Sequence, residues 1–411
     1  MAQRNIRQKL LAASRIAKNE GVPTLAVKGL KKVHATIIPG AKTKHHLHTL
    51  VSYEDAQRAD WSKKRQWKKP VKKDSYTVNW VMSPPGKGSG GHQNLFRFIR
   101  FLEQAGHTCR IYLYSTFDKR SIAEVNEVLK DSYAKINASI EWLDGEMAEA
   151  DAIFATGWET AYPVFLSKSD AQRFYFVQDY EPYFYPTGSE SILAENTYRF
   201  NFFGVTAGGW LANKLRSDFK METDHFDFGA DTAFYENINK EQRKEIFFYA
   251  RPVTPRRGFE IGIMALDLFH QKHPEYTINL AGWDVSDYDI PFPFKNLSSL
   301  PLSDLPGLYN CCSVALVMSL TNMSLLPLEL MACGVIPVVN DGDNNRQVSD
   351  NKYIEYVANN PQALADRLSE VVSRKDLLAH SQKASDSPAN QNWDASGAKF
   401  VQIVERKLRN G

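Results

Sequence analysis

Three arginines near the middle of the chain set up one kind of chemistry. Arg251 closes the apolar run EIFFYAR (245–251), and Arg256 and Arg257 stand just before Gly258 in PVTPRRGFE. A strand end, a rigid proline loop and a helix start bring these cations together. Guanidinium groups so placed suit a diphosphate, each contributing roughly 1.5–3 kcal/mol when bonded to its oxygens. A second feature is SLLPLELMACGVIPVV (324–339), where Ser324 can cap a helix carrying Glu329 among Leu326, Leu328 and Leu330. A carboxylate in that company is costly to desolvate without a partner. Two ribose hydroxyls could donate to its two oxygens. A third is SPPGKGSGGHQNLFRFIR (83–100), a glycine loop running into a helix start. Glycine lets backbone approach a ligand closely, and the free N–H groups of a first helical turn favour an anion.

The glycine loop fits no nucleotide motif completely. His92 and Gln93 follow Gly91 where a Walker loop needs Lys-Ser/Thr, and Gly86, Gly88 and Gly91 meet GxGxxG without an acid at the end of the next strand, RIYLYST. Asp118 comes too late, which disfavours a nicotinamide-dependent oxidoreductase. A loop facing a cleft between two domains remains.

On the other side of such a cleft, FVQDYEP (176–182) puts Gln178, Asp179 and Glu181 at the C-terminal end of a predicted strand. Asp179 first and Glu181 second are candidates to take a proton from an attacking hydroxyl. TGWET (156–160), also at a strand end, could frame an acceptor, offering the Trp158 ring for stacking and the Glu159 carboxylate for accepting hydroxyls. Asp341-Gly342-Asp343 and Asp287-Tyr288-Asp289 fit DxD, a metal–diphosphate pattern, but arginines already neutralise a diphosphate, so they read as turns and no metal or cofactor is expected. Cys109, Cys311, Cys312 and Cys333 lack zinc spacing and read as buried thiols. The cluster His45, His46 and His48 has no acidic neighbour to favour a metal.

Strand and helix alternate from Tyr76 onward. Strands are predicted at 76–83, 110–115, 138–143, 151–156, 173–179 and within FFGVTA, with helices such as 92–105 and 120–133 between them. HFDFGADTAFY (225–235) breaks the pattern and reads as a linker. A second series follows, with strands at 245–251, 276–282, 313–319, 335–340 and 353–357. Its helices fall at about 258–273, 303–311, 324–334 and 361–374, and a last helix covers about 395–409. Such alternation predicts two doubly wound α/β domains with parallel sheets. Their bounds are 76–230 and 231–390, with 391–411 as a terminal helix. No run is long and apolar enough for a membrane span.

Residues 1–75 form a basic extension. They hold 18 Lys/Arg against 5 Asp/Glu, so +13, and the other 336 residues carry 3 − 13 = −10. Ile6, Leu10, Ala13 and Ala17 can share one helical face, and Lys63, Lys64, Arg65, Lys68, Lys69, Lys72 and Lys73 surround Trp61 and Trp67. Such a segment can adhere to an anionic membrane surface; nucleic acid is not the expected partner. The expected location is the cytoplasm, peripherally at the inner face of the membrane.

Paired doubly wound domains, the arginine–loop–arginine–glycine spacing and LPLELMACGVIPVV resemble GT-B glycosyltransferases of family 4. WVMSPPGKGSGGHQNLFRFIRFLEQAGH, FVQDYEPYFYPTGSE and FYARPVTPRRGFE resemble, more narrowly, WsaF-type rhamnosyltransferases. The resemblance covers roughly 76–405. It implies a GT-B fold of two Rossmann-like domains facing across a cleft. It also implies a nucleotide-sugar donor, dTDP-L-rhamnose for the subgroup, a saccharide or lipid-linked saccharide acceptor, and a role in cell-surface glycan assembly. Arg251 and Arg257 match the residues holding the diphosphate, with Arg256 left as a candidate because the basic loop has one extra residue. Glu329 matches the ribose-binding glutamate, and Gly90 and Gly91 would approach the phosphates. The donor sugar would lie by Thr321, Ser324 and Leu325; Thr321 stands eight residues before Glu329, where the family usually has another glutamate. A non-catalytic nucleotide-sugar-binding or membrane-docked scaffold is the alternative.

Overall fold

Apolar runs too short for helices and bounded by helical segments can be satisfied only in sheets covered on both faces. Two such sheets form. A computed structural model describes residues 49–63, 65–67, 72–323, 325–390 and 392–410, and Leu50–Gly411 makes one compact unit. The first sheet contains β1 (Thr77–Met82), β2 (Thr108–Leu113), β3 (Ser139–Trp142), β4 (Ala152–Ala155), β5 (Gln172–Val177), β6 (Phe203–Ala207) and β7 (Thr223–Phe226). Its order is β3-β2-β1-β4-β5-β6-β7. The second contains β8 (Glu245–Tyr249), β9 (Thr277–Ala281), β10 (Lys295–Ser298), β11 (Val314–Val317), β12 (Ile336–Asn340) and β13 (Glu355–Val357), in the order β10-β9-β8-β11-β12-β13. Every pairing is parallel. The expected pair of doubly wound α/β domains is therefore present.

In both sheets the order reverses direction beside the first strand. The loops after β1 and β4 are neighbours in one sheet, and those after β8 and β11 in the other. Open parallel sheets bind ligands at this point, outside the strands' C-terminal ends.

Several elements escaped the sequence pattern. β7 begins ahead of the expected linker and overlaps its first residues, and β10 (KNLS) was not expected at all. Both are edge strands, where one side needs no apolar cover, so neither is an apolar run. The helix Leu377–Asp386 buries Leu377, Ser381 and Ala384, too thin a stripe to mark it. The helix Tyr53–Arg58 is likewise short and polar.

The packed chain starts before residue 76. Val51 and Ala59 are buried with Tyr112, Tyr162 and Phe165. The Trp67 ring sits beside Phe165 and Phe202, its indole N–H donates to Asn201 O at 3.0 Å, and the buried Arg173 guanidinium lies 4.6 Å from its centroid. Residues 1–48, Lys64, Lys68 and Lys69 lie outside the described residues, and with them the three histidines and the expected interfacial helix.

The last helix, Trp393–Asn410, packs on the first domain. Phe400 is fully buried against Trp80, Phe98, Phe154, Phe176 and Phe226, worth about 2–3 kcal/mol in apolar burial. Gly397 allows the approach, since a Cβ there would stand 2.4 Å from the Phe101 ring. Cys109, Cys312 and Cys333 are buried as expected; Cys311 is exposed.

Candidate active site between the two sheets

The crevice of the second sheet gathers the arginines. Arg251 follows β8, donating from Nε to Thr254 Oγ1 at 3.0 Å and from Nη1 to Tyr249 Oη at 3.1 Å. Arg257 lies in the 3-10 turn Pro255–Arg257 and donates to Ser319 Oγ, just past β11, at 3.1 Å. Gly258 follows with φ 54°, letting the chain turn into the helix Phe259–Lys272. Arg256 points elsewhere. Its guanidinium lies 3.9 Å from the Phe184 ring centroid, and its Nε is 3.5 Å from Asp179 Oδ2. Both partners belong to the first domain. Burial lowers the Arg256 pKa; Asp179 opposes this, while Arg257 and Arg251 add to it.

Asp179 follows β5 and reaches across the domains. Its Oδ2 accepts from Thr321 Oγ1 at 2.9 Å, and its Oδ1 accepts from the backbone N–H groups of Asn322 and Tyr180 at 2.9 and 2.8 Å. The Asn322 amide donates to Gln178 O at 3.0 Å and Ala207 O at 2.9 Å. Ser319 completes the link, because its hydroxyl donates to Asn322 O at 2.7 Å while accepting from Arg257. Both Asp179 oxygens are thus engaged, unlike those of a free general base. Thr321, expected beside a donor sugar, is buried and bonded to Asp179. Leu325 is partly buried just before the helix Leu326–Ala332, which starts later than expected at 324; Ser324 lies outside the described residues.

The glycine loop ends at Ser89, which caps the helix Gly90–Gln104, and no acid lies in its first turn. A Cβ at Gly86, Gly88 or Gly90 would meet nothing within 4 Å, so the loop is open. Gly91 O accepts from Gln178 Nε2 at 3.1 Å, and Gln178 Oε1 accepts from Asn94 at 3.2 Å. His92 pins the loop, its Nε2 lying 2.9 Å from Ser83 O, and burial lowers its pKa. Two turns on, Arg97 lies with its guanidinium 3.8 Å from the Trp393 ring centroid and attracts Glu329 and Asp231. Glu329 is half-buried, and burial pushes its carboxyl up to about 7, against the pull of Arg97 and the Tyr235 hydroxyl.

The other acceptor-side residues are less open than the sequence suggested. Trp158 is 2% exposed, and its indole N–H donates to Tyr185 Oη at 3.0 Å, which leaves no ring face for a sugar. Glu181, 7% exposed, accepts from Trp158 N–H at 2.6 Å and Tyr175 Oη at 2.9 Å. It therefore caps the helix Trp158–Leu166. Burial first, then Glu159, holds its carboxyl well above the usual range. Glu159 is half-buried, its pKa raised by burial, and its carboxylate lies over Gly157. In the DxD matches, Asp341 is paired with Arg346.

The structure thus joins Gly91, Gln178, Asp179, Thr321 and Arg256 in one network, with Arg251 and Arg257 beside it and Glu329 facing Arg97. Sequence reasoning missed Asn94, Arg97, Phe184, Ser319 and Asn322. Gly91, Asn94 and Arg97 recur every third residue on the helix, a polar stripe that could have flagged the first two. The others carry no local signal.

TarM aligns with this chain at a TM-score of 0.62 over 81% of this chain and 99% of its own, at 11% identity. WaaG, a glycosyltransferase involved in lipopolysaccharide biosynthesis, aligns at 0.57 over 80% and 99%, at 12% identity. Residues 244–369 match the family model described as WsaF, C-terminal domain. The chain has the GT-B glycosyltransferase fold and resembles WsaF. The match covers β8 through most of the helix Pro361–Val372, so this WsaF-like stretch carries all three arginines and Glu329. The O-antigen biosynthesis protein RfbC of Myxococcus xanthus is 35% identical over 334 residues, 78% of this chain and 26% of RfbC. The chain spans about a quarter of that relative's length. Among the described residues, no helix is long and apolar enough to cross a membrane.

Proposed function

We propose that this chain is a glycosyltransferase of cell-surface glycan assembly. It moves a sugar from a nucleotide-activated donor, dTDP-L-rhamnose in our reading, to a saccharide or lipid-linked saccharide. The observation carrying this is the placement of Arg251 and Arg257 at the switch point of the second sheet, Arg257 being linked through Ser319, Asn322 and Gln178 to Gly91 of the glycine loop. Among the described residues both donate to neutral hydroxyls and neither forms an ion pair with a carboxylate. Support also comes from the relative described as an O-antigen biosynthesis protein and from a TarM variant solved with UDP.

The chemistry follows from charge. As the bond from the sugar's anomeric carbon to the diphosphate breaks, negative charge grows on the leaving oxygen. Preoriented guanidinium groups and the N-terminal N–H groups of the helix Gly90–Gln104 stabilise that charge. We propose that these groups neutralise the diphosphate without a metal. Glu329 would hold the ribose. Asp179 and Glu181 are engaged within the protein, so Glu159, half-buried over Gly157, is the carboxylate we propose to bind a hydroxyl of the acceptor. Residues 1–75, with their +13 charge, would attract an anionic membrane surface, a reading checked by vesicle binding at low and high salt.

The deciding experiment incubates the purified protein with a panel of activated sugars and measures released nucleotide, with Arg251→Ala and Glu329→Ala beside it. Release from one donor, lost in both variants, is the expected result. Equal release in wild type and both variants would dismiss this site.

A further inference from the structure

Arg256 stands apart from its two neighbours. Arg251 and Arg257 bond to hydroxyls of their own domain. Arg256 instead stacks on Phe184 and faces Asp179. Its Nε is buried and makes no hydrogen bond among the described residues, and the carboxylate 3.5 Å away offsets its desolvation. A phosphate oxygen approaching that edge would meet Asp179 and be repelled. Around this pair lie further ties between the domains, from Thr321 and Asn322 to Asp179, Gln178 and Ala207. The Arg256 carbonyl also accepts from Leu320 N–H at 2.9 Å, which fixes the turn carrying Thr321 and Asn322.

We propose that Arg256 is a positioning residue. With Phe184 and Asp179 it clasps the first domain to the 319–322 turn, and it leaves Arg251 and Arg257 to hold the diphosphate. This rests on the glycosyltransferase reading for what the clasp positions, but not for the clasp itself. The clasp sets the distance between the glycine loop and the arginines, because Gln178 binds Gly91 on one side and Asn322 on the other. The extra residue of the arginine loop thereby has a task, namely to reach the facing domain.

The test compares wild type with Arg256→Met, Arg257→Met, Asp179→Asn and Phe184→Leu. It reads dTDP and UDP affinity by calorimetry, the radius of gyration by solution X-ray scattering, and donor turnover. Arg257→Met is expected to lose nucleotide affinity by about tenfold or more. Arg256→Met should stay within about threefold of wild type, yet show a larger radius of gyration and a lower kcat at similar donor KM. Asp179→Asn and Phe184→Leu should expand the molecule in the same way, and the latter serves if Arg256→Met does not fold. Loss of affinity in Arg256→Met equal to that in Arg257→Met, with unchanged dimensions, would overturn the proposal. If wild type binds neither nucleotide, the donor reading fails while scattering still decides the clasp: unchanged dimensions in all three clasp variants would refute it.

Discussion

Asp179 Oδ2 accepts a hydrogen bond from Thr321 Oγ1 at 2.9 Å, and the two residues belong to different domains. The acceptor is charged and the donor buried, so the bond is of the stronger kind. Thr321→Val keeps the shape and removes the hydroxyl. It should cost about 1.5–3 kcal/mol, read from urea unfolding. Thr321→Ser keeps the hydroxyl and should lose under about 1 kcal/mol. Equal losses in the two variants would show that the hydroxyl contributes nothing.

Glu329 gives a pH dependence. Its folded-state pKa of about 7 lies above its ordinary 4.5. The folded chain therefore holds a proton that the unfolded chain has released. The stabilisation is fully present below the ordinary value and is lost as pH rises through about 7. Between about pH 5 and 8 the unfolding free energy should fall, on the order of 2 kcal/mol after allowing for partial solvent access. Glu329→Gln should flatten that fall. A wild-type profile no steeper than the variant's would contradict the burial argument.

Gly157 leaves room for the Glu159 carboxylate, since a Cβ there would stand 2.8 Å from Oε2. Gly157→Ala should swing that flexible side chain aside at a stability cost under about 1 kcal/mol. If Glu159 serves the acceptor, turnover should fall about tenfold or more while the melting temperature barely moves. Unchanged turnover would remove Glu159 from the site.

Trp67 ties the basic segment to the first domain through its ring contacts and the bond to Asn201 O. Trp67 is partly buried, so Trp67→Ala should destabilise by about 1–2 kcal/mol and speed tryptic cleavage after Arg65. An unchanged digestion pattern would mean that other contacts hold the segment.

The alternation of apolar runs and helical stripes determined both sheets, since a parallel strand covered on two faces must be apolar along its length. It also marked the strand ends, and so Asp179, Arg251 and the glycine loop. The edge strands β7 (TDHF) and β10 (KNLS) were invisible because neither is an apolar run. Trp158 and Glu181 were misread for a related reason: TGWET and FVQDYEP look like exposed strand ends, but the packed loop after β5 buries them. The choice between Arg256 and Arg257 could not be made locally. They are adjacent in one short turn, and which guanidinium stays with its own domain depends on Phe184 and Asp179, more than 70 positions earlier in the chain. The sequence by itself determined which residue types stand at the ends of which strands, because periodicity and burial act over a few neighbours. Only the tertiary structure decided which of those residues face each other across the cleft, because the partners of a buried charge are set by how two separately folded sheets are docked.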